Sequence, residues 1–173
     1  MTVIWITGLP GVGKTAAAEE VAIRLRARGM LCVVLDGDAL RAALSPLGAG
    51  YDLDSRRGLA EIYSNIAQLL CGQGLHVIVA TVSLFAATHE SNRRRFPHYV
   101  EVLLTCDATL RSRRRPAAIS QWPGRDIDVE FPLDPHLTID TGLCGVNELA
   151  AGIVELALAT AEDGPGHVAF QSR

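Results

Sequence analysis

Gly8-Leu9-Pro10-Gly11-Val12-Gly13-Lys14-Thr15 follows the apolar run Val3-Ile4-Trp5-Ile6-Thr7 and precedes a stretch, 16–28, rich in Ala, Glu, Leu and Arg. A strand that breaks at glycine and enters a helix, with G-x-x-x-x-G-K-T between them, is the pattern of a phosphate-binding loop. The glycines let backbone N–H groups turn inward around phosphate oxygens, where side chains would block the approach. The helix that follows directs its positive end at the same anion. Lys14, the single lysine among sixteen basic residues, supplies a point charge for the β and γ phosphates, and Thr15 a hydroxyl ligand for Mg²⁺. Gly8, Gly11, Val12, Gly13, Lys14, Thr15 and Ala16 are therefore the expected cradle of a nucleoside triphosphate. The motif alone leaves the fate of the γ-phosphate open.

The rest of the chain alternates in the same manner. Strands are expected at 3–7, 31–35, 76–81, 99–104 and 137–139, and helices at 16–28, 38–44, 55–70, 86–95, 108–115 and 146–160. In the third of these helices Leu59, Ile62, Ile66, Leu69 and Leu70 fall on one side at helical spacing. Four prolines between 116 and 135 and little periodicity predict a loop there. Strands alternating with helices imply an α/β fold whose parallel sheet is covered by helices on both faces. With 173 residues this is one domain: a P-loop NTPase fold over 1–161, a lid-like loop at about 111–135, and a frayed tail at 162–173. Ligands of such sheets bind beyond the carboxyl ends of the strands, where the phosphate loop falls.

A formal charge of -3 argues against a dedicated nucleic-acid binder. The longest apolar runs are far shorter than a membrane span. The first residues carry no basic stretch and enter a strand at once, so no signal peptide is expected. Cys32, Cys71, Cys106 and Cys144 are widely spaced, which suits buried thiols in a reducing cytoplasm better than disulfides or a zinc site. The five histidines show no ligand spacing and receive no role.

The second strand ends in Leu35-Asp36-Gly37-Asp38, followed by Ala39-Leu40-Arg41. In a parallel sheet this turn lies near the phosphate loop. Asp36 is then placed to hold Mg²⁺ through water, and Asp38 to orient an acceptor hydroxyl and take its proton. The bland alternative is that these carboxylates cap the next helix, and the two roles are compatible. The third strand ends Val79-Ala80-Thr81-Val82-Ser83 without an Asp, which favours a small kinase over a switch or motor.

With Gly8 to Thr15 and Leu35-Asp36-Gly37-Asp38 with Arg41 in hand, the chain resembles the adenylyl-sulfate kinase family, whose members transfer a phosphoryl group from ATP to the ribose 3′-hydroxyl of adenylyl sulfate. The likeness runs over roughly 3–141 and implies ATP with Mg²⁺ held by Thr15 and Asp36. It further implies that Tyr51 and Trp122 sandwich the acceptor's base, that Arg41 and Arg56 clamp its anionic group, and that Ser83 lines its site. Catalysis falls to Asp38, Lys14 and Asp36. Arg114, in the run Arg111-Ser112-Arg113-Arg114-Arg115, is the expected lid arginine on ATP, while the rest of that run reads as a solvated helix end.

The sequence departs from the family at Leu59, where an Asn is expected, and at Glu61, where an Arg is expected and a carboxylate would repel an anion. Ser55-Arg56 and Ser83-Leu84-Phe85 instead resemble a branch that phosphorylates cytidine diphosphoramidate. A kinase of a non-nucleotide hydroxyl and a non-catalytic nucleotide-binding module are the remaining readings. The implied partners are a small nucleotide-like acceptor and a second copy in a homodimer, with no nucleic acid and no membrane.

Overall fold

The structure, a computed structural model, describes residues 1–47, 52–83, 85–114 and 123–162. Five strands, β1 (Val3–Thr7), β2 (Cys32–Asp36), β3 (His76–Ala80), β4 (Tyr99–Thr105) and β5 (Leu137–Asp140), alternate with six helices. The helices are α1 (Lys14–Ala27), α2 (Gly37–Leu44), α3 (Leu53–Gly72), α4 (Ala86–Arg95), α5 (Ala108–Arg114) and α6 (Val146–Glu162). All strand pairs are parallel, in the order β2-β3-β1-β4-β5. The expected α/β sheet is therefore present, with β1 and its loop at the centre.

Strand side chains alternate between the two faces, and each face is buried. On one, Ile4, Ile6, Ile78, Val100, Val102 and Leu104 pack against Ala18, Val21 and Leu25 of α1 and Ile153 and Val154 of α6. On the other, Val3, Trp5, Val77, Val79 and Tyr99 pack against Leu59, Tyr63 and Ala67 of α3. Fully burying a side chain of this size stabilises the fold by about 1.5–3 kcal/mol, so both layers are needed to hold the sheet.

The helix ends differ from the expected ones for identifiable reasons. The Asp36 side chain caps α2, so that helix opens at Gly37. Asp52 caps α3 through the Ser55 N–H at 2.9 Å and also accepts from Ser55 Oγ at 2.7 Å, moving that start to Leu53. α3 is also turned slightly from the expected face: Leu59, Ile66 and Leu70 pack on the core as expected, but Ile62 and Leu69 are exposed, while Arg56, Tyr63, Ser64 and Ala67 are buried. By contrast, the N-cap of α1 is Gly13, in left-handed conformation and without a side chain to satisfy the first turn. Those N–H groups are open to a ligand.

Candidate active site

Around α1 the loop is built by backbone fit. Gly8 has φ 142° and Gly11 φ 84°. A Cβ on Gly8 would lie 2.3 Å from the Leu104 carbonyl oxygen, and one on Gly11 2.8 Å from that of Arg111. Neither position accepts a side chain without moving the backbone of β4 or α5. Val12 is buried beneath the loop, and its carbonyl accepts from Thr141 Oγ1 at 2.8 Å, tying the loop to the end of β5. Lys14 Nζ donates to the carbonyls of Gly8 at 2.9 Å and Leu9 at 3.0 Å, which holds the ammonium over the loop.

Beside the loop, Thr15 Oγ1 donates to Asp36 Oδ2 at 2.7 Å. The other oxygen of that carboxylate, Oδ1, accepts the N–H groups of Asp38 at 2.9 Å and Ala39 at 3.1 Å. Asp36 thus caps α2 and faces the phosphate loop at once. The hydroxyl and carboxylate are hard oxygen donors beside a phosphate cradle, which is what Mg²⁺ takes from a protein before phosphates and water complete its shell. Among the described residues no cluster of three or more His, Cys, Asp or Glu gathers to hold a metal by itself.

A cavity of about 520 Å³ extends from the loop across the sheet end. Its phosphate end is formed by Gly11, Gly13, Lys14, Thr15 and Ala16, with Arg114 at the side. Arg114 is held there by Thr141, donating to its Oγ1 at 3.2 Å and its carbonyl at 3.5 Å. The opposite wall carries Asp36, Asp38 and Arg41 from the β2–α2 corner, Arg56, Leu59 and Tyr63 from α3, and Ser83 and Phe85 after β3. Arg56 is nine-tenths buried although charged.

Most expected site residues therefore meet in one cavity. Gly8 and Val12 support it from beneath, while Tyr51 and Trp122 lie outside the described residues; Pro123, next in sequence to Trp122, lines the cavity. Glu61 is a correction: its carboxylate pairs with Arg95 at 2.6 Å, and it is not among the lining residues. Two positions on from Leu59, it sits about 200° around the helix, so it brings no repulsion to the cavity. Tyr63 was not anticipated. Its hydroxyl donates to the Gly37 carbonyl at 3.2 Å, bracing the Asp36–Asp38 corner against α3. The signal was its spacing of seven from Arg56, which puts both on one face. Phe85, which the sequence reading grouped with Ser83 and Leu84, also lines the cavity; its ring lies 5.0 Å beneath the Arg57 guanidinium.

A phosphate loop at the head of α1, with an acceptor wall of carboxylate and arginines across a shared cavity, defines a P-loop kinase. The sequence matches the family described as Adenylylsulphate kinase over residues 1–140. The chain belongs to that family. It is 32% identical over 149 residues to a probable bifunctional SAT/APS kinase 2 of Sorangium cellulosum, covering 81% of this chain and 26% of that protein. It is 35% identical over 105 residues to cytidine diphosphoramidate kinase of Campylobacter jejuni, covering 61% of each. The chain thus spans about a quarter of the first relative's length and under two thirds of the second's. Its fold superposes on the Mycobacterium tuberculosis APS kinase CysC in complex with AMPPNP and APS with a TM-score of 0.82, at 27% identity, covering 90% of this chain and 96% of that one.

Proposed function

We propose that this chain transfers the γ-phosphoryl group of ATP to the ribose 3′-hydroxyl of a small nucleotide, with adenylyl sulfate the acceptor that family membership favours. The observation that carries the reading is the single cavity running from Lys14 and Thr15 to Asp38, Arg41 and Arg56. The loop N–H groups and Lys14 bind the β and γ phosphates, and Arg114 adds charge from the side. Asp38 accepts the proton of the acceptor hydroxyl as its oxygen bonds to the γ-phosphorus. The bond from that phosphorus to the β–γ bridging oxygen breaks, and ADP leaves with the electron pair. Mg²⁺, held by Thr15 directly and by Asp36 through water, would neutralise charge on the β and γ oxygens. Arg41 and Arg56 bind the acceptor's anionic group, while Tyr51 and Trp122 stack its base.

A second acceptor, cytidine diphosphoramidate, is favoured by one observation. Leu59, buried and lining the cavity, stands where the resemblance calls for an Asn, and a leucine offers no hydrogen bond to sulfate. Among the described residues no helix is long and apolar enough to cross a membrane, and the four free thiols suit a reducing cytoplasm. The test incubates the chain with ATP, Mg²⁺ and each acceptor in turn, and identifies products by mass spectrometry. A product heavier than its acceptor by one phosphoryl group, formed with either nucleotide, supports the reading. Transfer only to sugars or sugar acids overturns it, as does ATP binding with no transfer at all.

A further inference from the structure

Ser83 is the one non-glycine residue among those described with a left-handed backbone, φ 44°. That conformation is disfavoured for any residue with a Cβ and persists where the surroundings over-determine it. Ser83 also lines the cavity on its acceptor side. Its Oγ accepts the indole N–H of buried Trp5 at 2.7 Å, which ties the side chain to the core. Its carbonyl lies 3.4 Å from Nε2 of His89, on α4.

Behind it stands a buried charged cluster that phosphoryl transfer does not use. His89 Nδ1 lies 2.7 Å from Glu101 Oε1, and both residues are almost wholly buried. The same oxygen accepts Tyr99 O–H at 3.1 Å, and Arg93 donates to the other. Arg93 also donates to the Asp134 carbonyl, and the Glu101 N–H donates to His136 Nδ1 at 3.0 Å, so the segment before β5 is tied to the same cluster. A carbonyl and a carboxylate can only accept, so His89 meets each of them as a donor, Glu101 through Nδ1 and Ser83 through Nε2. Burial pushes the Glu101 carboxyl up, but the His89 bond and charge, with Arg93, outweigh this and hold it below its usual range. A buried ion pair is a poor source of stability, since apolar side chains of equal volume often do as well. What it provides is fixed geometry.

We propose that His89 is a positioning residue of the acceptor site: clamped to Glu101 on one side, it holds the Ser83 carbonyl on the other and so keeps the left-handed turn aimed at the acceptor. This rests on reading the cavity as the site of a nucleotide acceptor. His89→Asn and His89→Gln separate the two bonds, because asparagine puts its amide where histidine carries Nδ1, and glutamine where it carries Nε2. His89→Asn keeps the Glu101 partner and abandons Ser83, whereas His89→Gln keeps Ser83.

In the full chain, His89→Asn raises the acceptor KM about tenfold, the scale of one lost hydrogen bond at a buried carbonyl, and leaves the ATP KM near wild type. His89→Gln restores most of the loss. Adenylyl sulfate and cytidine diphosphoramidate are the acceptors assayed. The indole N–H signal of Trp5 in a ¹⁵N-labelled sample, identified with Trp122→Phe, shifts in His89→Asn and returns in His89→Gln. Equal effects of the two substitutions, or an ATP KM that rises in step, overturn the proposal. If the wild type phosphorylates neither nucleotide, the reading of the site fails separately. The Trp5 signal then decides the positioning claim: shifted in His89→Asn and restored in His89→Gln upholds it, and unshifted overturns it.

Discussion

Asp36 holds α2 with one oxygen and faces Thr15 with the other, so substitutions there should separate stability from chemistry. Asp36→Ala removes the acceptor of the Asp38 and Ala39 N–H groups. Loss of such a cap costs about 0.5–2 kcal/mol. The Thr15 hydroxyl, which loses its 2.7 Å partner, is exposed and regains water, so it adds little. At about 2–4 °C per kcal/mol for a chain of this size, Asp36→Ala should melt roughly 1–8 °C below wild type. Asp36→Asn keeps an oxygen at the capping position and caps as well as Asp, so its melting temperature should fall by less than about 2 °C. Both variants lose the charge beside Thr15. If Asp36 holds Mg²⁺ through water, the Mg²⁺ concentration for half-maximal rate rises in both by about 10–100-fold, as for other groups that position a metal's direct ligands. Scanning fluorimetry and initial rates across a Mg²⁺ series measure the two effects. The reasoning is refuted if Asp36→Asn melts as low as Asp36→Ala, or if it keeps the wild-type Mg²⁺ dependence.

Asp38→Asn should lower kcat by about 10²–10⁴-fold, the range for a positioned general base, with ATP affinity by calorimetry near wild type; a kcat within twofold of wild type removes Asp38 from the chemistry. Tyr51→Ala and Trp122→Ala should each weaken acceptor binding by about 1–3 kcal/mol while sparing ATP, and unchanged acceptor affinity in both rejects the base sandwich. Thermal stability should fall on acidification in two stages. Burial holds His76 below its usual 6.5, and its Nδ1 must stay unprotonated to accept the Thr2 N–H at 3.2 Å. Its contribution is complete above pH 6.5 and declines as the pH drops through its folded value. The depressed carboxyl of Glu101 contributes fully above pH 4.5 and is lost below it. A melting curve against pH in which His76→Val leaves the upper limb unaltered contradicts the first assignment.

The sheet was legible because its signals are local. Val3 to Thr7 is apolar without interruption, as a strand covered on both faces must be, and Gly8 marks its end. The phosphate loop is likewise contained in eight consecutive residues. The acceptor wall was legible only in part, because it depends on the rotation of α3, which packing sets. Counting leucines and isoleucines placed Leu59 correctly but put Ile62 and Leu69 inward, whereas the sheet and cavity also take Arg56, Tyr63 and Ala67. A buried Arg within the apolar face runs against hydrophobic periodicity, so the pattern misjudged the helix where the site imposes a charge. The histidines show a further limit. His76, His89, His98 and His136 all make side-chain hydrogen bonds, but their partners lie on other elements and leave no spacing to read.

The two halves of the cavity are constrained by different parts of the molecule, and this explains why kinship identifies one ligand better than the other. At the phosphate end the requirement falls on backbone: Gly8 against Leu104 and Gly11 against Arg111 leave no room for a side chain, so drift there breaks the loop. At the acceptor end the requirement falls on side chains of α2, α3 and the Ser83 turn, carried by elements that the core already holds. Leu59 illustrates the freedom. It packs among Trp5, Tyr63 and Val79 and also meets the cavity, so a leucine strengthens the core while it alters what the wall can bond. A TM-score of 0.82 at 27% identity is what such a division allows, since a sheet and loop held by backbone fit stay superposable whichever side chains the wall carries. If the acceptor is the small nucleotide proposed above, its anionic group meets the α3 and Ser83-turn side chains, and a site that leaves a buried polar group unpaired rejects the wrong ligand more strongly than any apolar contact selects the right one.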